Sequence, residues 1–294
     1  MAQFINTNIA ALDSQRNLST SQMALQTSLQ RLSSGLRVNS AKDDAAGLAI
    51  AERMTSQVTG LNMAARNAND AISLAQTAEG ALNAVSTNLQ RMRELAVQAS
   101  NATASTGDQQ NLNAEYQQLS QEIYRVLTGT AFNKVQLLNS TATLQFQVGS
   151  DSVATSVTNK IDVALTDTTA GVGMVKVSAG TSGSSATDVL YTAAATAAAN
   201  VATAQTAIDD LSLAIDEVTT ARANFGAAQN RFTSTIANLQ IASQNQASAR
   251  SRIMDTDFAS ETSSLTRAQI LQQAGTAMLA QANSSNNGVM ALLR

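Results

Sequence analysis

The sequence predicts a mainly α protein, in which the N-terminal and C-terminal thirds form a long antiparallel coiled-coil or helical bundle with a small β-hairpin insertion. Three observations predict this. The 294 residues include no proline, the residue that kinks or breaks a helix. Apolar residues recur every seven positions in both terminal thirds, as in packed helices. Apolar and polar residues alternate only in a short central stretch, as in strands.

The first predicted helix carries leucines on one face. Their offsets of seven, four, three and four residues match helical periodicity: Leu18, Leu25, Leu29, Leu32 and Leu36. Ser40 and Asp43 then have the spacing of a capping box, so a second helix is expected to start there.

The second helix is predicted from about Ala45 to Ser100, which corresponds to roughly 80 Å. Two parallel apolar lines run along it. They consist of Leu61, Ala68, Ala75, Leu82, Leu89 and Ala96, and of Ala78, Val85, Met92 and Ala99. A rod of this length needs partners along its apolar side. After a turn over residues 101–107, helical spacing resumes up to Gly129, a C-terminal stop signal.

The period changes to two in the middle of the chain. Two runs, Leu144 to Val148 and Ile161 to Leu165, predict a β-hairpin near residues 141–166. Residues 181–204 are rich in small residues and are predicted to form a short variable surface connection. The heptad returns at Leu211, Val218, Phe225, Phe232 and Leu239. Antiparallel packing of the two terminal thirds buries both stripes.

The composition excludes most enzyme chemistry. The chain contains no cysteine and no histidine, which removes the common nucleophilic triads, haem ligation and nearly all zinc sites. Three acidic pairs are interpreted as helix-start or solvated charges, because sequence neighbours point in different directions on a helix; they are Asp43–Asp44, Asp209–Asp210 and Asp216–Glu217. We therefore predict no enzyme activity, no catalytic residue, no bound metal and no cofactor.

Charge and hydropathy exclude two kinds of partner. The net charge is −3, and no basic cluster with aromatic residues is present, so no nucleic acid partner is expected. No run of 18 apolar residues occurs, so membrane insertion is not expected. The first residues lack the pattern of a conventional signal peptide.

Strings of residues at both ends of the chain resemble bacterial flagellins. The N-terminal strings are LSSGLRVNSAKDDAAGLAIA at 32–51, RNAND at 66–70, TAEGAL at 77–82 and LQRMRELAVQ at 89–98. The C-terminal strings are SARSRI at 248–253, DFA at 257–259, RAQILQQAG at 267–275 and ALLR at 291–294. The resemblance covers about residues 1–165 and 205–294, in a short form with a reduced central region.

The resemblance implies a structural subunit that self-assembles into the bacterial flagellar filament for motility. It implies that residues 1–43 and 255–294 are the inner polymerisation helices. Residues 44–180 and 205–254 would then form a helical rod with the hairpin. The expected polymerisation residues are Leu18, Leu25, Leu29, Leu32, Leu36, Leu265, Leu271, Met278, Leu279, Leu292 and Leu293.

The resemblance also implies a location and partners. The location is the extracellular filament, reached by type III export without a cleaved signal peptide. The partners are other flagellin subunits, hook-associated and cap proteins, an export chaperone and the host Toll-like receptor for flagellin. The residues expected to meet that receptor are Leu89, Arg91, Leu95 and Glu115.

Three other classes of protein compete with this interpretation. A hook-filament junction (hook-associated) protein shares the terminal helices, but the strings at 267–275 and 289–294 favour flagellin. A free-standing coiled-coil binding module explains the heptads but not both terminal strings. An enzyme is opposed by the missing site.

Overall fold

The fold is mainly helical, as predicted. The computed structural model describes residues 7–151, 159–177, 190 and 197–291. Its elements in chain order are α1 (Ile9–Ser34), α2 (Ala45–Ala99), α3 (Thr106–Gly129), β1 (Ala131–Phe132), β2 (Val135–Gln136), β3 (Thr143–Gln147), β4 (Lys160–Ala164), α4 (Val172–Val177), α5 (Ala197–Met254) and α6 (Phe258–Ala291). The chain forms two compact units: the terminal unit, residues 1–58 and 244–294, and the central unit, residues 59–243.

In the terminal unit, α1 and α6 pack as an antiparallel pair. Near one end, Asn8 Nδ2 donates a hydrogen bond to the carbonyl oxygen of Ala282 at 2.9 Å. Near the other end, the guanidinium of Arg31 lies 3.7 Å from the carboxylate of Glu261. The residue numbers of the contacts rise along one helix and fall along the other, which is the predicted antiparallel arrangement of the chain ends.

The start of α2 differs from the capping-box prediction. Asp43 does reach back, since its Oδ2 accepts hydrogen bonds from the N–H and hydroxyl of Ser40 at 2.9 Å. However, this pair closes a turn, and the helix begins only at Ala45. Asp44 caps it, because its Oδ1 accepts from the N–H of Gly47 at 2.8 Å. The expectation that the helix starts at the Ser40–Asp43 capping box was therefore wrong by several residues, whereas the bounds of about Ala45 to Ser100 predicted for the long helix are confirmed.

A complete capping box lies instead at the start of α3. The N–H of Asp108 donates to the Ser105 hydroxyl, and the Asp108 carboxylate accepts from the N–H of Ser105. These contacts satisfy two backbone N–H groups that the first turn leaves unpaired.

In the central unit, α2 and α5 run antiparallel around the main core. Gln229 Nε2 donates to the carboxylate of Glu79 at 2.8 Å, and the Ser243 hydroxyl donates to Asn62 at 3.0 Å. Most members of the predicted heptad lines lie in this core. The fully buried members include Ala68, Leu82, Leu89, Ala96, Leu211 and Phe232.

The predicted β-hairpin is present and packs on this core. Strands β3 and β4 pair antiparallel, with Leu144 opposite Val163 and Phe146 opposite Ile161. The ring of Phe146 meets that of Phe232 edge to face, with centroids 5.6 Å apart. A second, very short hairpin, β1–β2, was not predicted, because strands of two residues carry no readable alternation.

The structure describes only part of the connection predicted at 181–204. The Leu190 side chain is fully buried, and its N–H donates to Asn113 at 2.9 Å. Helix α5 begins at Ala197. Residues 181–189 and 191–196 lie outside the described residues.

Candidate assembly surfaces

Helix α1 has two apolar faces, of which α6 covers one. The covered face holds the buried Ser21 and Ser28, flanked by half-buried leucines of the predicted heptad. On another side of the helix, Ile9, Leu12 and Met23 are 54–59% exposed. Leu12 and Met23 are eleven residues apart, about three turns, so they share this side.

Helix α6 has the same organisation. Ala268 is buried toward α1, and Leu18 packs against Gly275, where an added Cβ would come within 3.3 Å of Leu18 Cδ1. Four large apolar side chains of α6 are 53–61% exposed: Phe258, Ile270, Leu271 and Met278. Among the exposed apolar residues of α1 and α6, we call one set the outer apolar faces: Ile9, Leu12, Met23, Ile270, Leu271 and Met278.

The predicted polymerisation residues divide between covered and exposed positions. Leu29, Leu271 and Met278 are exposed. Leu18, Leu25, Leu32, Leu36, Leu265 and Leu279 are half-buried. Leu292 and Leu293 lie outside the described residues. Ile9, Leu12 and Met23 were not among the predicted residues, because most of the leucine heptad marks the face that α1 turns toward α6. Ile270 of α6 was not predicted either.

Exposed apolar side chains gathered on two neighbouring helices are unusual for a protein that stays monomeric, and such patches typically mark interaction sites. Burial of the remaining half of one such side chain contributes roughly 1 kcal/mol. The outer apolar faces can therefore drive association only when several of these side chains are covered together.

The central unit presents a polar cluster on α2 and α3. The Arg91 guanidinium lies 2.9 Å from the carboxylate of Glu115 and 3.0 Å from that of Glu94. Hydrogen bonds to Glu115, and then to Glu94, raise the pKa of Arg91 above its ordinary value. The cluster lies at the surface, where all three charged groups remain accessible to solvent.

The four residues expected to meet a receptor do not all lie at this surface. Arg91 and Glu115 are paired and exposed. Leu89 and Leu95 have exposed fractions of 0% and 1%. In this conformation an external partner cannot reach the two leucine side chains, so direct recognition remains a prediction only for Arg91 and Glu115.

Two of the acidic residues have a role that the sequence did not reveal. The Glu217 carboxylate accepts hydrogen bonds from the N–H groups of Gly173 and Met174, at the start of α4. Asp210 pairs with Lys176 at 2.8 Å. These contacts attach α4 to α5. Among the residues that the structure describes, no group of three or more potential ligands is placed to hold a metal ion.

No helix in the described part of the chain combines the length and the apolar character that crossing a bilayer requires.

Comparison with known proteins gives consistent matches over nearly the whole chain. The family model for the bacterial flagellin N-terminal helical region matches residues 5–143, and that for the bacterial flagellin C-terminal helical region matches residues 206–293. The chain is 45% identical to a flagellin of Halalkalibacterium halodurans over 291 residues, covering 99% of both chains. It is 42% identical to a flagellin of Bacillus subtilis (strain 168) over 309 residues, again covering 99% of both.

Among solved structures, the crystal structure of Bacillus cereus flagellin matches with 31% identity and a TM-score of 0.45, covering 59% of this chain and 88% of that chain. The two family matches and the full-length relatives show that this chain belongs to the bacterial flagellin family.

Proposed function

We propose that copies of this chain associate through the outer apolar faces of α1 and α6, and that this association builds the flagellar filament. As a flagellin, the chain is a structural subunit of that extracellular filament and not an enzyme. The observation that carries the proposed surface is the set of large apolar side chains that remain more than half exposed on both terminal helices although α1 and α6 pack together. No finding favours the hook-associated alternative.

The geometry suits an open polymer. The α1–α6 pair already covers one face of each helix, so a second copy that contacts an outer apolar face leaves other apolar residues free for further copies. When two different surfaces of the same chain meet, the contact repeats without closing unless the rotation completes a ring, and it generates a helical filament. Because each exposed side chain contributes only about 1 kcal/mol on burial, assembly is expected to depend on several neighbours and on concentration.

The test is seeded polymerisation of the purified chain carrying Ile270→Gln and Leu271→Gln. Both changes keep the side chain long and helix-compatible while making it polar. Replacing two half-exposed apolar contacts is expected to raise the critical concentration for elongation by on the order of tenfold or more. The critical concentration is measured by sedimentation of filaments, and circular dichroism verifies that the subunit is folded.

The matched control carries Val172→Gln and Val175→Gln on α4, where both side chains are similarly exposed. We expect this variant to assemble like the unmodified chain. An unchanged critical concentration for the α6 variant, or an equal rise for the α4 control, would contradict the proposed surface.

The Arg91–Glu115 pair is the proposed contact with the host Toll-like receptor for flagellin. Its support is the resemblance of residues 89–98 together with the exposed, mutually bonded charges of Arg91 and Glu115. Leu89 and Leu95 are buried. Their proposed contribution is indirect: they pack α2 against the core and so keep Arg91 in position.

Measuring receptor activation by the monomer distinguishes a specific role of Arg91 from a general effect of surface charge. Arg91→Ala is expected to raise the half-maximal dose by roughly tenfold, because a central charged contact is lost. Arg125→Ala is the matched control, since Arg125 is also an exposed arginine paired with a glutamate, Glu122, in this case within α3. Equal dose responses for the two variants would rule out a specific role for Arg91.

The remaining partners follow from family membership. Hook-associated and cap proteins are proposed to contact the ends of the growing polymer, and an export chaperone is proposed to bind the subunit before type III export. All three kinds of partner are proposed to contact surfaces of the subunit that other subunits cover once it is in the filament.

A further inference from the structure

Methionine is the chain's main target for mild oxidants. Cysteine, histidine and tryptophan are absent from the 294 residues, whereas nine methionines are present. Peroxide chemistry on this protein is therefore concentrated on thioether sulfurs, which it converts to sulfoxides.

The structure separates the described methionines by exposure. Met23 and Met278 lie on the outer apolar faces and are the two most exposed of them. Met92 and Met174 are fully buried in the central unit. Met63 is exposed on α2, and Arg66 donates a hydrogen bond to its sulfur. An oxidant in solution reaches Met23 and Met278 directly, but it reaches the buried pair only when the central unit opens.

We propose that Met23 and Met278 are oxidative modification sites, and that their conversion to sulfoxide blocks subunit association. This inference rests on the proposed association through the outer apolar faces. Filaments would protect both residues by covering them, so the vulnerable species is the free subunit.

The chemistry needs only a peroxide. The thioether sulfur attacks one peroxide oxygen, the O–O bond breaks, and an S–O bond forms. Sulfur is oxidised by two electrons, and the peroxide is reduced, hydrogen peroxide leaving one molecule of water for each sulfoxide formed.

The consequence for assembly follows from polarity. A sulfoxide oxygen is a strong hydrogen-bond acceptor, and burying it against apolar side chains without a donor costs free energy. A rise in critical concentration of roughly tenfold for each oxidised methionine corresponds to a loss of about 1.4 kcal/mol of association free energy.

The experiment uses the full chain treated with hydrogen peroxide as a monomer. Peptide mass mapping is expected to show sulfoxide at Met23 and Met278 well before Met92 and Met174. Seeded elongation of the treated subunit is expected to show the raised critical concentration. Reduction by methionine sulfoxide reductases of both stereochemical types is expected to restore assembly.

Two variants make the test specific. Met23→Leu combined with Met278→Leu removes both thioethers from the outer apolar faces, and its critical concentration, whatever its value without peroxide, is expected to stay the same after peroxide treatment. Met63→Leu is the control, and it is expected to remain as sensitive as the unmodified chain. If the double variant is still blocked by peroxide, or if the oxidised unmodified chain assembles normally, the proposal is overturned. If the untreated Ile270→Gln and Leu271→Gln variant also assembles normally, the proposed surface itself fails, which is a distinct result.

Discussion

The contact between Phe232 and Phe146 joins the β3–β4 hairpin to α5 and gives the sharpest stability prediction. Phe232 is fully buried, and its ring lies 5.6 Å from that of Phe146 at an interplanar angle of 83°. Phe232→Ala removes a large buried side chain and leaves a cavity that the surrounding helices cannot fill. We expect the free energy of unfolding of the monomer to fall by about 3–5 kcal/mol.

Urea unfolding, followed by far-UV circular dichroism, measures this change. With a slope of roughly 2–3 kcal/mol per molar urea for a chain of this size, the midpoint is expected to fall by about 1–2 M at unchanged slope. Phe258→Ala is the control, because Phe258 is exposed on the terminal unit. It is expected to change stability by less than about 0.5 kcal/mol.

A double-mutant cycle separates the interaction energy between the two rings from the cost of the cavity. Phe146→Leu, Phe232→Leu and the double variant keep apolar volume but lose the edge-to-face geometry, and a coupling of about 0.5–1.5 kcal/mol is expected. Coupling below about 0.3 kcal/mol, within ordinary additivity, would refute the role of the ring pair. Equal costs for Phe232→Ala and Phe258→Ala would refute the assignment of Phe232 to the core.

Three further predictions concern two glycines and a helix cap. Gly80→Ala is expected to stabilise the chain by about 0.5–1 kcal/mol, since its added Cβ meets nothing within 4 Å. Gly35→Ala is expected to destabilise it by about 1–2 kcal/mol, because Gly35 ends α1 at φ +71°; denaturant midpoints that move in the same direction for both would contradict this. Hydrogen bonds from Ser105 hold the pKa of Asp108 below its ordinary value of 3.8. The stability from this cap is therefore complete above about pH 4 and is lost as the pH falls through the lower folded pKa of Asp108. In a pH series of unfolding measurements, the destabilisation caused by Ser105→Ala is expected to shrink in acid. A difference in stability that stays constant with pH would be evidence against this linkage.

The sequence by itself determined the long helices and the core lines. A seven-residue apolar period identifies residues that share one helix face, and a continuous face of this length has to be buried. For this reason the extent of α2, the burial of Leu82 and Phe232 and the alternation of the β3–β4 hairpin could all be predicted. The flagellin family could likewise be recognised, because its strings lie in these helices.

Only the tertiary structure decided what covers each face and which polar groups meet. Periodicity could not show that α6 covers one face of α1 and leaves Met23 exposed, since both faces are apolar. It could not assign the cap of α2 to Asp44 rather than to Ser40, because both residues can accept a hydrogen bond from a helix start. Nor could it bring Glu217 to the start of α4, a contact made 43 residues or more along the chain. Local pattern specifies the shape of an element, but the partner of a surface group depends on contacts between residues distant in sequence.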